Sequence, residues 1–163
     1  MINLKPNTDI INVELFAPVA GKLKNIEDVN DVMFSQKMMG DGFAVTPTDG
    51  DIYAPVSGVI TSVFPTKHAY GINADGVELL VHLGINTVDL NGEPFEVFVN
   101  EGDLVTPATK IAVVDLAAIA AAGKDSDIIV IATNADDLEG FDVTAPREVK
   151  AGDEVAQAQI EKR

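Results

Sequence analysis

Thr66-Lys67-His68-Ala69-Tyr70-Gly71-Ile72-Asn73-Ala74-Asp75-Gly76-Val77-Glu78-Leu79-Leu80-Val81-His82-Leu83-Gly84 is the stretch whose reading decides the fold. Asp75-Gly76 is a pair favoured by two-residue β turns, because both central positions need positive φ. On the far side of that turn, Leu79 and Val81 fall on one face of an extended chain, Leu80 and His82 on the other. The pattern predicts antiparallel strands over 69–73 and 78–82. Counting outward from the turn brings His68 within one residue of register with His82. A sequence gap thereby becomes a spatial pair. Gly84 marks a turn directly after His82 and places that ring at a strand end, where it reaches solvent.

The same signature continues in both directions. Short Val, Ile, Phe and Thr runs, punctuated by Gly, Pro, Asn and Asp, predict further strands at 10–16, 21–23, 43–47, 52–53, 58–65, 95–99, 110–114, 127–131 and 155–160. Strands at this spacing imply an all-β antiparallel sandwich or barrel, not an alternating α/β sheet. Helix is scarce. Residues 116–122 are Ala-rich, with Asp115 as cap and Gly123 as stop. Residues 135–139 suit one turn between Asn134 and Gly140, and 31–39 a short helical segment ending at Gly40-Asp41-Gly42. Ala17-Pro18-Val19-Ala20-Gly21 returns as Ala54-Pro55-Val56-Ser57-Gly58. More faintly, the stretch from Val105-Thr106 to Ala112 returns from Val149-Lys150 to Ala156. These echoes suit either convergent turn chemistry or a duplicated β motif. With no linker or low-complexity segment, residues 1–163 are expected to form one domain, with 1–12 as a short N-terminal extension.

Composition narrows the function. Eleven basic against 26 acidic residues give 11 − 26 = −15, which repels nucleic acid and anionic membranes and favours a basic protein partner. The chain has no Cys, so disulfides, thiol nucleophiles and Cys-based zinc sites are excluded. MINLKPNTDI lacks the regions of a signal peptide, and no apolar run is long enough to cross a bilayer, so a cytoplasmic location is expected.

His68 and His82 are the only histidines. Two adjacent neutral imidazoles permit a metal site, acid–base catalysis, or covalent catalysis in which one ring takes a group and the other hydrogen-bonds to it. A zinc site would need a third ligand such as Asp31, Asp41 or Glu93, and spacing nominates none of them. No phosphate loop, nucleophile elbow, HExxH or dinucleotide fingerprint is present. Gly40-Asp41-Gly42 reads as a turn. The apolar cluster Val32, Met33, Phe34, Met38 and Met39 reads as core or as a partner face, to which Met is well suited.

The motifs around both histidines resemble the glucose-family enzyme IIA of the bacterial phosphoenolpyruvate:sugar phosphotransferase system. The matching blocks run in family order: Ala17-Pro18-Val19, Ile26-Glu27-Asp28-Val29, Asp31 through Gly42 (DVMFSQKMMGDG), Ala54 through Gly58, Thr66-Lys67-His68-Ala69, and Gly76 through Val88. The resemblance implies a β sandwich built from a duplicated motif. It also implies a phosphotransferase component that takes a phosphoryl group from phospho-HPr and passes it to a Cys of a sugar-specific IIB domain. The acceptor would be His82 through Nε2, with His68 donating to the phosphoryl group and Thr66 orienting a ring. No cofactor is required; His68 and His82 could hold zinc in a regulatory complex. The partner face would be drawn from Asp31, Val32, Met33, Phe34, Met38, Met39, Phe64, Tyr70, Leu80 and Leu83. The protein would be a monomer that meets the membrane only through the permease. Asn86 stands where many relatives carry Asp. A regulatory binding protein controlled by its phosphorylation state, and a zinc-dependent hydrolase, are the competing readings.

Overall fold

A computed structural model describes residues 9–162. Of the expected extension, 1–8 lie outside the described residues, and its last three residues already belong to the first strand. In chain order the elements are β1 (Ile10–Phe16), β2 (Gly21–Asn25), α1 (Val32–Ser35), β3 (Asp41–Pro47), β4 (Asp51–Tyr53), β5 (Gly58–Val63), β6 (Ala69–Ala74) and β7 (Val77–Ile85). They continue with β8 (Phe95–Val97), β9 (Leu104–Val105), β10 (Lys110–Val114), α2 (Leu116–Ala121), β11 (Asp125–Ala132), β12 (Leu138–Val143), β13 (Glu148–Val149) and β14 (Glu154–Glu161). All pairings are antiparallel. An eight-stranded sheet runs β13-β2-β3-β11-β7-β6-β5-β9, and two three-stranded sheets run β1-β14-β12 and β4-β10-β8.

The local chemistry behaves as the residue types require. Asp75 and Gly76 take φ of 54° and 97°, and the hairpin closes with Ala74 opposite Val77 and Ala69 opposite His82. Asp115 caps α2 by accepting from the Ala118 amide at 3.0 Å, and Gly123 ends it at φ 72°. Residues 135–139 depart from expectation. The 3₁₀ turn stops at Asp137, and Leu138 opens β12. Gly140 there is a strand residue beside a register shift, not a helix stop.

The sequence echo corresponds to a structural duplication. Phe16 N–H donates to the Pro55 carbonyl and Tyr53 N–H to the Pro18 carbonyl, each at 2.7 Å, so the two Ala-Pro-Val motifs exchange bonds. Ala17 N–H donates to Asp153 O and Ala54 N–H to Thr109 O. The Asp153 carboxylate accepts from Lys150 N–H as the Thr109 hydroxyl accepts from Thr106 N–H. Val149 pairs with Gly21 as Val105 pairs with Gly58. A pseudo-twofold axis therefore passes between β7 and β11, exchanging β3 with β6 and the two three-stranded sheets with each other.

The main core fills the space between the eight-stranded sheet and the two small sheets, with Leu15, Phe43, Ile52, Tyr70, Val81, Ile111, Ile128 and Ala158 among its fully or nearly fully buried residues. Each aliphatic side chain buried there contributes about 1.5–3 kcal/mol, enough in sum to hold the sandwich without disulfides. The outer face of the large sheet is covered on one half only. Ile26, Val29 and Phe34, from the connection between β2 and β3, pack on Ala44, Ile129 and Ile131. Beside them, buried Asp127 accepts from Thr46 Oγ1 at 2.8 Å and pairs with Lys24 at 2.7 Å, which satisfies an otherwise costly buried carboxylate. Among the described residues, no helix is long and apolar enough to cross a membrane.

Candidate active site

His82 lies on the uncovered half of that outer face. Strand alternation sends Leu79, Val81 and Leu83 into the core and leaves Leu80 and His82 outward, half-buried. His68 is the last residue of the short connection 64–68 and enters β6. Its carbonyl accepts from Leu83 N–H at 2.6 Å, which ties the connection to β7. The two rings meet edge to face, with centroids 4.9 Å apart and planes at 71°. Phe34 of α1 stands against His82, and Phe64 against His68, each at 5.3 Å. The imidazoles thus sit between two aromatic walls, one from each connection.

The hydrogen bonds set the tautomer of one ring. His82 Nδ1 lies 2.6 Å from the Gly84 carbonyl. A carbonyl can only accept, so Nδ1 carries the proton and Nε2 carries the free lone pair. Gly84 can turn its carbonyl back because it holds φ 86°; a Cβ there would lie 2.6 Å from Thr87 Cγ2 and 2.8 Å from Asp125 O. Thr66 Oγ1 lies 2.5 Å from His68 Nδ1.

A profile described as the phosphoenolpyruvate-dependent sugar phosphotransferase system, EIIA 1, matches residues 13–138. The chain belongs to this family. It is 46% identical over 140 residues to a glucose-specific EIIA component of Halalkalibacterium halodurans, covering 85% of this chain and 81% of that one. It is 43% identical over 148 residues to the glucose-specific EIICBA component of Streptococcus pneumoniae, covering 90% of this chain but only 20% of that longer one. Glucose permease IIA from Mycoplasma capricolum superposes with a TM-score of 0.82 at 38% identity, covering 90% of this chain and 96% of that chain.

In this EIIA chain, electrostatics keep both rings neutral near pH 7. Burial lowers the proton affinity of His82, partly offset by the Gly84 hydrogen bond and by the Asp31 carboxylate. Burial, then the neighbouring His82, lowers that of His68. Asp31 is half-buried and spends one oxygen on capping α1, accepting from Met33 N–H at 2.9 Å.

The expected partner face divides. Val32, Met33, Met38 and Phe64 are exposed, and Met39 and Leu80 are half-buried. Tyr70 and Leu83 do not belong on it. Tyr70 pairs with Val81, Leu83 follows the same parity, and both side chains are buried in the main core. Phe34 is also buried and serves as a wall for His82. Among the described residues, Asp31, Asp41 and Glu93 do not join the two rings in a three-ligand cluster. Sequence reasoning treated Gly84 only as a turn and missed its carbonyl as the partner of His82 Nδ1. A glycine two residues after an outward histidine was the available signal.

Proposed function

We propose that the chain, 1–163 as one EIIA unit, is a phosphocarrier. It accepts a phosphoryl group from phospho-HPr on Nε2 of His82 and delivers it to the Cys of a sugar-specific IIB domain. The supporting observation is the Nδ1–Gly84 contact, which leaves Nε2 as the nucleophilic nitrogen. In this reading the P–N bond of the donor breaks as a new P–N bond forms at His82 Nε2. The Gly84 carbonyl supports the positive charge that develops on the ring. Thr66 O–H donates to His68 Nδ1, so His68 Nε2–H is free to donate to a phosphoryl oxygen, stabilising charge as the group moves. Phe34 and Phe64 limit water around the phosphohistidine. Val32, Met33, Met38, Met39, Phe64 and Leu80, with Asp31 among them, form the face on which donor and acceptor dock. Asn86, exposed and in left-handed conformation at φ 61°, supplies a neutral amide four residues after His82. A partner cation meets one acidic group fewer there.

Incubation with labelled phosphoenolpyruvate, enzyme I and HPr tests this. The label is expected on the chain in an acid-labile, alkali-stable form, as a phosphoramidate, and His82→Ala is expected to abolish it. Undiminished labelling of His82→Ala would overturn the assignment.

A further inference from the structure

Sulfur in this chain is confined to four methionines, since it has no cysteine. Met33, Met38 and Met39 lie in one segment, 33–39, beside the wall of His82. Met33 precedes Phe34 on α1, and Met38 N–H donates to the Met33 carbonyl at 3.1 Å, which folds Met38 back beside it. Met33 is 45% exposed and Met38 65%, whereas Met39 packs against the small outer core. Exposed thioethers react with peroxide far more readily than buried ones, and nothing else in the chain offers a competing thiol.

We propose that Met33 and Met38 are an oxidation-sensitive modification site on the docking face. Each sulfur lone pair attacks one oxygen of hydrogen peroxide. The O–O bond breaks as the S–O bond forms, and the departing hydroxide takes the proton from the transferred oxygen, leaving as water and giving the S=O group. Sulfur is oxidised by two electrons and the peroxide reduced by two. The product sulfoxide places a strong acceptor where the bare face is apolar. Docking then strips water from the S=O group without replacing its hydrogen bonds, and partner affinity falls. The imidazoles and Phe34 stay in place, so the loss falls on encounter and not on the transfer step. A methionine sulfoxide reductase reverses it. The proposal rests on the phosphocarrier reading, because it concerns the face that reading uses.

The test treats the full chain with hydrogen peroxide, locates added oxygen by peptide mass, and follows label transfer from phosphorylated HPr over a range of HPr concentrations. Oxygen is expected on Met33 and Met38 before Met39. KM for HPr is expected to rise about ten-fold with kcat within about two-fold, and reductase treatment to restore it. A chain carrying Met33→Leu and Met38→Leu, compared with its own untreated rate, is expected to lose less than about two-fold at the same peroxide dose. Unchanged KM with both sulfurs oxidised would overturn the proposal. So would equal sensitivity of the double variant, or oxidation of Met39 ahead of the other two. An untreated chain that takes no label would sink the phosphocarrier reading itself and this proposal with it, so the two failures are told apart by the untreated control.

Discussion

The two halves of the duplicated sheet share a backbone and differ in what covers them. The pseudo-twofold axis places His82 over Ile131, His68 over Asp41 and Tyr70 over Phe43, because β6–β7 and β3–β11 pair in corresponding registers. Residues 26–40 join β2 to β3 and carry a 3₁₀ turn and α1, which seal Ile129 and Ile131 from water. The corresponding connection between β5 and β6 is only 64–68. It is too short to roof the sheet, so His82 stays half-exposed, while His68 is buried at the root of the connection. The histidine pair sits where the repeat lacks its lid, and the lid of the other half lends Phe34 as a wall.

Phe34→Ala breaks this comparison most severely. It removes the aromatic anchor of the covered half, and a buried Phe truncation costs about 3 kcal/mol of stability, measurable by urea unfolding. It also re-solvates His82. In the native chain burial holds the folded rings neutral below their ordinary value of 6.5, against the pull of Asp31 and the Gly84 carbonyl on His82. The unfolded chain takes up those protons near pH 6.5 and the folded chain only at lower pH. Stability is therefore full above that pH and declines below it. Phosphoryl acceptance, which needs neutral Nε2, is expected to persist below pH 6.5 in the native chain. In Phe34→Ala its acid limb should move up toward that value. An unmoved limb would show that Phe34 does not desolvate the ring.

His68 sharpens the contrast with Asp41, its counterpart in the covered half. His68→Gln keeps an N–H donor but no titratable group. His82 is expected still to be labelled, while onward transfer to IIB, in which we expect His68 also to share a proton as the group leaves His82, slows by roughly 10²-fold, the usual scale for lost acid–base help. His68→Ala is expected to impair both entry and exit of the phosphoryl group. Native rates of complete sugar phosphorylation with His68→Ala would mean that the two rings meet for packing alone.

Much of this arrangement was legible in the sequence because local rules carried it. Asp75-Gly76 fixed a turn type, the turn fixed the register, and the register brought His68 to His82. The echo of Ala-Pro-Val announced the duplication. The parity read at Leu79–His82 held, but it was not carried through to the partner face. Tyr70 and Leu83 are apolar neighbours of the histidines in sequence, but pleat parity turns both inward. Two-residue strands such as β9 and β13 carry no periodicity to detect. Gly140 misled because glycine marks both helix ends and strand irregularities. The role of Gly84 depends on a carbonyl direction, which no side-chain pattern encodes.

The smallest expected effect lies beneath the half that carries the histidines, where Tyr70 occupies the place that Phe43 holds in the other. Both side chains are buried in the core between the same kinds of neighbour: Phe43 is opposite Val130, and Tyr70 opposite Val81. Among the described residues, the Tyr70 hydroxyl finds no hydrogen-bond partner. Burial also drives its proton affinity far above the ordinary phenol value. A buried hydroxyl without a partner costs about 1–3 kcal/mol relative to water, and Phe43 shows that the fold accommodates a bare ring at the equivalent position. Tyr70→Phe is therefore expected to raise stability by about 1 kcal/mol, read as a higher urea midpoint with an unchanged slope. The gain should widen in alkali. The unfolded chain ionises this phenol near pH 10 and the folded chain does not, so the native protein loses stability above that pH which the variant keeps. Loss of stability in Tyr70→Phe at neutral pH would instead show that the hydroxyl is bonded through a buried water and that the two halves of the core are not interchangeable at this position.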